Sequence, residues 1–412
     1  MTEGVVIWQS LTAAVVAASL VTLTAVAASG ASSQVGPSPE PQRQLTPMLR
    51  IAWQRGPDLP QGFQDSDGGF LGTRLITVGG FCQGSDDNLK PGHYPRGFLR
   101  KVWALDVAEP ALGWVALPDY PATPRQGLMA ASAGEALYCW GGFNYTPPNC
   151  YPDGYRLRQK NGEWIWQELP PLPWPLTASG ICSIGPRIYL FGGADYEEDF
   201  RTDADRHGNN PRLGARLLVF DTENMKAGWR RLSDCPGTPR LGMAMAAVGG
   251  RIYVIGGAAA CPGSAYRNVI DNWRYDTERD AWERIRDLPT SSSLFPDGRI
   301  VFAERYIILV GGYQYAEVAN PDGSSRPPYG QPHRFADQGA YFNDVFVYDA
   351  QTDLFGAADS MPINNATPMT VVRGDEVFTI GGEADGREID GEYYGHHPDL
   401  FLRGKIGKLS QQ

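Results

Sequence analysis

Six Gly-Gly pairs, each at the end of a short apolar run, constrain the fold of this chain more than any other feature of its sequence. The runs are LITVGG, LYCWGG, IYLFGG, IYVIGG, IILVGG and VFTIGG, which end at Gly80, Gly142, Gly193, Gly257, Gly312 and Gly382. They are rich in β-branched and aromatic residues, a pattern that predicts buried strands. Their spacing of 51 to 70 residues is too irregular for a thin solenoid but fits small sheets with loops of variable length.

A second pattern, which follows most of the glycine pairs, indicates how many strands each copy contains. After the first pair, a strand-like segment over residues 102–106 is followed by Trp114 and by a Leu-Pro stop at Leu117. Related Asp, Trp and Leu-Pro positions recur after later pairs. We therefore predict four short strands per copy and an all-β fold. The outer-strand pattern also occurs at residues 53–60, before the first pair, and is missing after the last.

These motifs resemble kelch repeats, which fold as four-stranded blades of a β-propeller. The resemblance covers residues 51–409 and implies a six-bladed propeller. Because the outer strand that the last copy lacks is present before the first copy, we expect the N-terminal strand around residues 51–54 to complete the sixth blade. Such a strand would join the ends of the ring and remove an open sheet edge.

The composition agrees with a turn-rich β protein and argues against several other classes. Glycine (49) and proline (33) are more frequent than average among the 412 residues, which argues against a helical bundle. The net charge is −10 and no long run of Lys or Arg is present, so we expect no nucleic-acid partner. The six cysteines form no CxxC pair, which argues against zinc-ribbon and thioredoxin-type sites.

The N-terminus has the features of an export signal. An apolar segment over residues 11–28 contains a small-x-small pattern at residues 25–27 and precedes a polar, Pro/Ser-rich stretch. We predict a signal peptide or membrane anchor over residues 1–28, a linker over residues 29–48 and the propeller over residues 49–412. No Lys or Arg precedes the apolar segment, so an uncleaved anchor is the alternative. Both alternatives predict a periplasmic or secreted protein that meets the membrane only through this segment.

An oxidising location would permit disulfide bonds. The pairs that share one predicted face are Cys82 with Cys150 and Cys235 with Cys261. Cys139 and Cys182 fall within predicted strands, so we expect them to be buried thiols.

Loops that follow the glycine pairs, together with the connections between copies, are expected to lie on one face of the propeller. They carry nearly all of the length variation, and long loops of this kind concentrate function. All five histidines fall within them, namely His93, His207, His333, His396 and His397. We therefore predict that this face binds a small polar ligand, with His93 and His333 among the contacts.

The sixth of these loops combines a carboxylate, a guanidinium, aromatic rings and imidazoles. Glu383 directly follows the last glycine pair, and Arg387 is four residues further on. The loop continues through Tyr393, Tyr394, His396 and His397. Such groups can hold a polar ring and transfer its protons. The acid, the Arg and the two histidines are therefore candidate catalytic residues, and the tyrosines are candidate ligand contacts.

The Gly-Glu-Ala segment and the Arg that follows it resemble an element of the exported six-bladed kelch enzymes that interconvert anomers of N-acetylneuraminate. This resemblance implies an acid/base role for Glu383. It implies that Arg387 clamps a sugar carboxylate, because a guanidinium can donate two hydrogen bonds to a carboxylate. The alternative is an ion pair within the loop. Chemistry of this kind requires no metal or organic cofactor.

A second candidate constellation could hold a metal. Asp199, Asp203 and His207 are four residues apart, so a helical turn would project them from one side. The spacing resembles the Glu-x3-Asp-x3-His iron site of plant kelch specifier proteins, with Asp in place of the first Glu. The alternative is a solvated acidic loop.

Two similar connections between copies carry arginines. Arg125 and Arg240 each follow a Thr-Pro pair, and we expect both to point toward the axial channel, where they would bind an anionic or sugar ligand. The alternative is a structural role in which each guanidinium binds carbonyls of a neighbouring blade.

Two functions from different classes follow from these patterns. The first is a monomeric carbohydrate-binding propeller that acts as a mutarotase or epimerase, with Tyr313 among its ligand contacts. The second is a non-catalytic module that binds a protein partner through its long loops. The tyrosine-rich loop over residues 313–341 suits that role because aromatic side chains are effective interface anchors.

Overall fold

The computed structural model describes residues 45–82, 97–195, 214–261, 264–289, 300–315, 317–320, 324–326, 340–384, 387–389, 392–394 and 397–409. Within these ranges the regular structure is β, apart from two short 3₁₀ turns at Pro110–Leu112 and Met225–Ala227. A helix of the length and apolar character needed to span a membrane is not found among these described residues.

Six larger sheets account for most of the strands in the described ranges, and each has the same strand order. In sheet 1 the strands are Asp67–Leu71, Arg74–Val78, Val102–Asp106 and Val115–Ala116. In sheet 2 they are Gln126–Ala133, Ala136–Phe143, Gly154–Lys160 and Glu163–Leu169. In sheet 3 they are Gly180–Ile184, Arg187–Phe191, Leu217–Asp221 and Trp229–Arg231.

The second half of the chain repeats this arrangement. In sheet 4 the strands are Ala244–Val248, Arg251–Ile255, Asn272–Asp276 and Ala281–Ile285. In sheet 5 they are Val301–Phe302, Tyr306–Gln314, Ala340–Asp349 and Leu354–Ala358. In sheet 6 they are Met369–Arg373, Glu376–Ile380, Phe401–Lys408 and Leu49–Arg55.

Further short strands lie in the loops. Two small hairpins are Phe81–Cys82 with Gly97–Phe98 and Arg387–Ile389 with Glu392–Tyr394. A further four-stranded sheet consists of Ala258–Cys261, Ser264–Asn268, Val318–Ala319 and Ser325–Arg326. It connects the loops that follow the glycine pairs of sheets 4 and 5.

The apolar run before each glycine pair is the second strand of its sheet. In sheet 1, Leu75 pairs with Phe70 on one side and Leu105 on the other, and none of its surface is exposed. Neighbours on both sides and burial on both faces explain why these runs are continuously apolar. The prediction of four short strands per copy is confirmed by the strand order of the six sheets.

The strand expected near residues 51–54 forms the fourth strand of sheet 6. Leu49–Arg55 pairs antiparallel with residues 402–408, near the C-terminal end of the chain. Thr46–Pro47 adds a short parallel strand beside Leu354–Ala358 of sheet 5, so regular pairing begins three residues before the predicted boundary at residue 49.

The first strands of the six sheets pack against one another in chain order, and the first strand of sheet 6 also contacts that of sheet 1. Apolar side chains fill the space between neighbouring sheets. Between sheets 4 and 5, for example, Tyr253, Leu309 and Phe346 belong to one buried cluster. Burial of such side chains is the main contribution to the stability of these sheets.

The described cysteines differ in part from expectation. Cys139 and Cys182 are buried within strands, as predicted. No disulfide joins Cys82 to Cys150, and Cys235 is a buried thiol, so neither expected pairing is present. Burial raises the pKa of the Cys235 thiol to about 12, which keeps it protonated and unreactive.

Candidate functional site

Four residues in equivalent positions form part of the rim of a central cavity. Asp65, Gly127, Ala178 and Gly242 stand at the entry to the first strands of sheets 1 to 4, and their backbones are left-handed, with φ of 49°, 62°, 50° and 58°. The Gly127 amide donates to the Asp65 carbonyl (2.9 Å), and the Ala178 amide donates to the Gly127 carbonyl (3.2 Å). In the same way, the Gly242 amide donates to the Ala178 carbonyl (2.8 Å). These hydrogen bonds link neighbouring sheets and hold the backbone of Asp65.

The central cavity has a volume of about 360 Å³ and is lined by residues from the six sheets and their connections. Its polar side chains are Asp65, Gln126, Ser179, Thr367 and Glu383. Its larger apolar and aromatic side chains are Leu128, Phe143, Leu241, Tyr313, Tyr315 and Tyr341. The lining formed by described residues contains two carboxyl groups and no basic side chain. A mixture of a few polar groups with aromatic rings is typical of sites for small ligands.

Glu383 reaches this cavity because it directly follows the sixth glycine pair. The Gly382 amide donates to the Phe63 carbonyl (2.8 Å), and the Glu383 carbonyl accepts from the Ala366 amide (2.7 Å). The Tyr341 hydroxyl donates to Oε1 of Glu383 at 2.7 Å. Hydrogen bonds therefore hold Glu383 at both its backbone and its side chain.

Asp65 lies on the same wall, two residues after the Phe63 carbonyl that binds Gly382. Its Oδ2 accepts hydrogen bonds from Nε2 of Gln126 (2.7 Å) and Nε2 of Gln64 (3.1 Å). Burial, followed by the nearby charge of Glu383, raises the pKa of Asp65 from 3.8 to about 7. Asp65 is therefore an acid that can gain or lose a proton near neutral pH.

Gln126 presents an unused acceptor in the same place. Its side chain is 5% exposed and lines the cavity. While Nε2 donates to Asp65, Oε1 accepts no hydrogen bond from the described residues. An orphaned buried acceptor is destabilising unless a ligand or a solvent molecule satisfies it. A hydroxyl-bearing ligand would supply the missing donor.

Three tyrosines form an aromatic cluster beside Glu383. The ring centroids of Tyr313 and Tyr315 are 4.7 Å apart, and those of Tyr313 and Tyr341 are 5.3 Å apart. The Tyr315 backbone is fixed by two hydrogen bonds to the buried Asn268 side chain. Burial, with a contribution from the charge of Glu383, raises the pKa of Tyr313, so its hydroxyl stays protonated at neutral pH.

The structure places Arg125 and Arg240 away from the cavity lining, which corrects the expectation that they point into the axial channel. Nη2 of Arg240 contacts the Asp271 carboxylate at 2.6 Å, and Nη1 donates to the carbonyls of Gly256 and Asp271. Arg125 donates to the Gly141 carbonyl and to Asp153. Both guanidinium groups are almost completely buried, with 1% or less of the side chain exposed. Their contacts match the structural alternative.

The other predicted residues divide into two groups. Arg387 begins one short strand, and Tyr393 and Tyr394 end its partner strand, so the backbones of Arg387 and Tyr394 are paired. His397 is buried with its ring edge-on to Phe81, at 5.9 Å, and is not part of the cavity lining. The residues that lie outside the described ranges are His93, Asp199, Asp203, His207, His333 and His396.

No cluster of three or more His, Cys, Asp or Glu with metal-binding geometry occurs among the described residues. The predicted set of Asp199, Asp203 and His207 is not among them, so it stays a prediction.

Sequence reasoning missed Asp65, Gln126 and Thr367. The sequence does contain a signal for Asp65, which is seen when the repeats are aligned by their first strands. Where sheets 2, 3 and 4 have Gly127, Ala178 and Gly242, the first copy has an aspartate. A charged residue at a left-handed position that is Gly or Ala in the other copies is a functional candidate, because backbone strain of this kind concentrates at functional sites.

Comparison with known proteins agrees with the repeated sheets. A family model described as the KLHDC2/KLHL20/DRC7 kelch-repeats domain matches residues 130–382. The chain belongs to the kelch-repeat family. The kelch resemblance seen in the glycine pairs is thereby confirmed.

Several relatives of this kelch protein are named N-acetylneuraminate epimerase. The one from Vibrio cholerae serotype O1 is 32% identical over 371 residues, which cover 82% of this chain and 89% of the relative. One from Haemophilus influenzae is 22% identical over 364 residues, which cover 81% and 89% of the two chains. At this identity and coverage the kelch protein and the Vibrio cholerae relative belong to one family.

Among solved structures, the structure of YjhT superimposes on this kelch protein with a TM-score of 0.61. The match covers 82% of this chain and 95% of YjhT at 16% sequence identity. At that identity the likeness shows a shared fold.

Proposed function

We propose that the chain is a six-bladed kelch β-propeller, closed by its N-terminal strand, whose central cavity interconverts the anomers or epimers of a carbohydrate. Two observations support the closed ring. The first strand of sheet 6 contacts that of sheet 1, and Leu49–Arg55 completes sheet 6. A ring of this kind leaves no first strand at an open edge, and it brings the entries of all the sheets together around one cavity.

The observation that carries the activity is the position of Glu383 in the cavity wall, with the Tyr341 hydroxyl bound to its carboxylate. Of the six residues that follow the glycine pairs at the ends of the second strands, it is the only charged one; the others are Phe81, Phe143, Ala194, Ala258 and Tyr313. A carboxylate within hydrogen-bond reach of a bound sugar is a suitable general base. The tyrosine rings and Phe143 supply apolar faces against which a sugar ring can pack.

The proposed reaction needs only proton transfer. Glu383 takes the proton of the anomeric hydroxyl while a second group donates a proton to the ring oxygen. The bond between the anomeric carbon and the ring oxygen breaks, and a carbonyl forms at the anomeric carbon. Rotation about the adjacent carbon–carbon bond, followed by the reverse proton transfers, closes the ring with the opposite configuration. All atoms and electrons are conserved, so the reaction requires no metal or organic cofactor.

The names of the relatives support a sialic-acid-type sugar as the substrate. The described lining supplies no cation for a sugar carboxylate, because the buried guanidinium groups of Arg125 and Arg240 lie outside it and are paired with Asp153 and Asp271. We therefore propose Arg387, four residues after Glu383, as the group that binds the carboxylate. A neutral sugar would not need this contact.

Exchange NMR tests the proposed activity. Wild-type protein is added to N-acetylneuraminate and to neutral and amino sugars, and the exchange rate between anomers is measured for each. We expect acceleration of at least one sugar, and a loss of about 100-fold or more in Glu383→Gln. Glu135→Gln, in an exposed hairpin turn at the opposite end of sheet 2, is the matched control and should keep the wild-type rate. If the wild type accelerated anomer exchange in none of the sugars, the proposed enzymatic activity would be refuted.

The alternative function is a module that binds a protein partner. The rings of Tyr313, Tyr315 and Tyr341 line the cavity, which favours a small ligand over a protein surface for this part of the predicted tyrosine-rich loop. A pull-down that recovered one stoichiometric protein, in a chain that exchanges no sugar, would favour the module.

We also propose that the chain is exported, as the apolar N-terminal segment suggests. Expression of the full-length chain followed by N-terminal sequencing tests this proposal. A mature N-terminus close after residue 27 in an extracytoplasmic fraction is expected. An intact Met1 on a cytosolic protein would overturn it.

A further inference from the structure

Three features at one position separate Asp65 from the rest of the cavity wall. Its φ of 49° lies in the left-handed region, as at the equivalent positions Gly127, Ala178 and Gly242, and of these four residues only Asp65 carries a polar side chain there. Its carboxyl group is half-buried, and a second carboxyl group, that of Glu383, lines the same cavity. Strain that is concentrated at a cavity is a mark of function.

The backbone explains why the two acids meet. Glu383 follows Gly382, whose amide binds the Phe63 carbonyl, and Asp65 lies two residues after Phe63. The Asp65 carbonyl in turn accepts from the Gly127 amide, which fixes its direction. Both carboxyl groups are therefore mounted on hydrogen-bonded segments that are joined to each other, which is the arrangement that a preorganised acid–base pair requires.

We propose that Asp65 is a second catalytic carboxyl group, which works as a pair with Glu383 in the reaction proposed above. Asp65 carries the proton that passes to the ring oxygen as the ring opens, while Glu383 accepts the proton of the anomeric hydroxyl. On ring closure the two protons return along the same paths, so each acid ends in its starting state. The orphaned Oε1 of Gln126 accepts a hydrogen bond from a neighbouring sugar hydroxyl and orients the ring.

The charges around Asp65 are consistent with a proton donor. The groups that face it are the Glu383 carboxylate, the neutral amides of Gln64 and Gln126 and the Thr367 hydroxyl, with the hydroxyls of Tyr313, Tyr315 and Tyr341 nearby. None of these described groups is a cation that would stabilise an ionised Asp65. Burial and the charge of Glu383 instead raise its pKa to about 7, so it holds a transferable proton at neutral pH.

Asp65→Asn tests this role with little change in shape, because Asn tolerates a left-handed backbone. The measurement is the anomer exchange rate from pH 5 to 9, with the sugar that the wild type accelerates most. For the wild type, we expect kcat/KM to fall above about pH 7 as the donor proton is lost. For Asp65→Asn, we expect kcat to fall about 100-fold or more and the remaining rate to show no decline above pH 7.

Two further variants keep the test decisive. Asp65→Gly introduces the residue found at the equivalent positions of sheets 2 and 4, so it should fold and be equally inactive. Asp119→Asn removes a partly exposed carboxyl that pairs with Lys101 outside the cavity, and it should keep the wild-type rate and pH profile.

The outcomes separate this proposal from the one on which it rests. An active wild type together with an Asp65→Asn variant of unchanged rate and pH profile would overturn the role of Asp65 alone. A wild type that accelerates no sugar would overturn both proposals. A loss of rate in Asp65→Asn and Asp65→Gly that left the decline above pH 7 intact would assign that decline to another group and overturn the donor role.

Discussion

At the scale of single residues, Asp65 is a position where stability and the proposed chemistry oppose each other. Its pKa is about 7 in the folded protein and about 3.8 when unperturbed, so the folded state binds the proton more tightly. The free energy of unfolding therefore falls as the pH rises from about 4 to about 7, and it stays low above that range. Ionised Asp65 thus destabilises the fold at alkaline pH.

Replacement of this carboxyl should consequently stabilise the protein in a pH-dependent way. We predict that Asp65→Asn raises the unfolding free energy at pH 8 by up to about 4 kcal/mol and has little effect at pH 4. Urea unfolding of both proteins at the two pH values measures the difference. The buried Asp67, whose pKa burial also raises to about 7, is present in both proteins, so its contribution largely cancels. An equal effect at pH 4 and pH 8 would contradict the prediction.

The Arg240–Asp271 pair illustrates the structural arginines. Burial alone would raise the pKa of Asp271, but Arg240, together with hydrogen bonds from Trp273 and Thr238, holds it below its ordinary value. We predict that Arg240→Ala lowers the unfolding free energy by about 3 to 5 kcal/mol, because it leaves a buried carboxylate without its cation.

An exposed pair gives the matched control for that prediction. Arg231 pairs with Asp234 at the surface, where solvent screens the pair, so Arg231→Ala should have a much smaller effect than Arg240→Ala. Chemical denaturation of both variants measures the difference. Losses of equal size would show that burial of the Arg240 pair has no energetic consequence.

A functional residue can be predicted from the sequence when the feature that marks it lies next to it in the chain. Glu383 could be identified because it directly follows a repeated glycine pair. Asp65 could not be identified from its own segment, since its strain and its carboxylate neighbour arise only when the first and sixth sheets meet. The direction of the Arg240 side chain could likewise not be predicted from the sequence, because its partner Asp271 lies 31 residues away in the chain.

At the scale of elements, the turn that ends each second strand decides where the following side chain points. Gly382 has φ of 111°, and a Cβ there would overlap the side chain of Asn365. Asn365 is itself bound to the Gly381 carbonyl, so it cannot move freely. The turn therefore fixes both the end of the strand and the direction of Glu383.

Two alanine substitutions separate backbone strain from this overlap. Gly374 has φ of 61° and open space around it, so Gly374→Ala should cost about 1 kcal/mol and leave the exchange rate unchanged. Gly382→Ala should be at least about 1 kcal/mol more destabilising, and it should also slow sugar exchange by displacing Glu383. Denaturation and exchange NMR on the two variants test the prediction, and equal behaviour would contradict it.

The repeated strands were predictable because a short apolar run that ends in a glycine pair recurs six times along the chain. The additional sheet that includes Ala258–Cys261 and Ser264–Asn268 was not predicted. Its strands lie in loops of different sequence, so no periodicity distinguishes them. The same limit applies to Thr46–Pro47, which looks like part of a proline-rich linker and pairs only because sheet 5 has a free edge.

At the scale of the whole molecule, one strand joins the two ends of the chain. Leu49 and Ile51 are buried in the core between sheets 5 and 6, and their strand covers the edge of Phe401–Lys408. The sequence indicated this strand pairing through an outer-strand pattern placed before the first repeat. It could not indicate the cavity, whose lining is contributed a few residues at a time by six separate copies.

Two truncations test the contribution of this strand. Deletion of residues 1–55 should remove cooperative unfolding or lower the melting temperature by more than about 10 °C, because it exposes a strand edge and apolar side chains of two sheets. Deletion of residues 1–44 retains Leu49–Arg55 and serves as the control, with the cooperative transition expected to remain. Calorimetry measures both. Similar transitions in the two proteins would contradict the closed ring.

A crystal structure with bound sugar tests the central claim most directly. The sugar would be the one that exchange NMR selects, bound to Glu383→Gln so that turnover is slow. We predict one sugar ring in the central cavity, with its anomeric oxygen within hydrogen-bond distance of residue 383 and its ring oxygen facing Asp65. A sugar bound at another surface, with the cavity left to solvent, would contradict the proposed function.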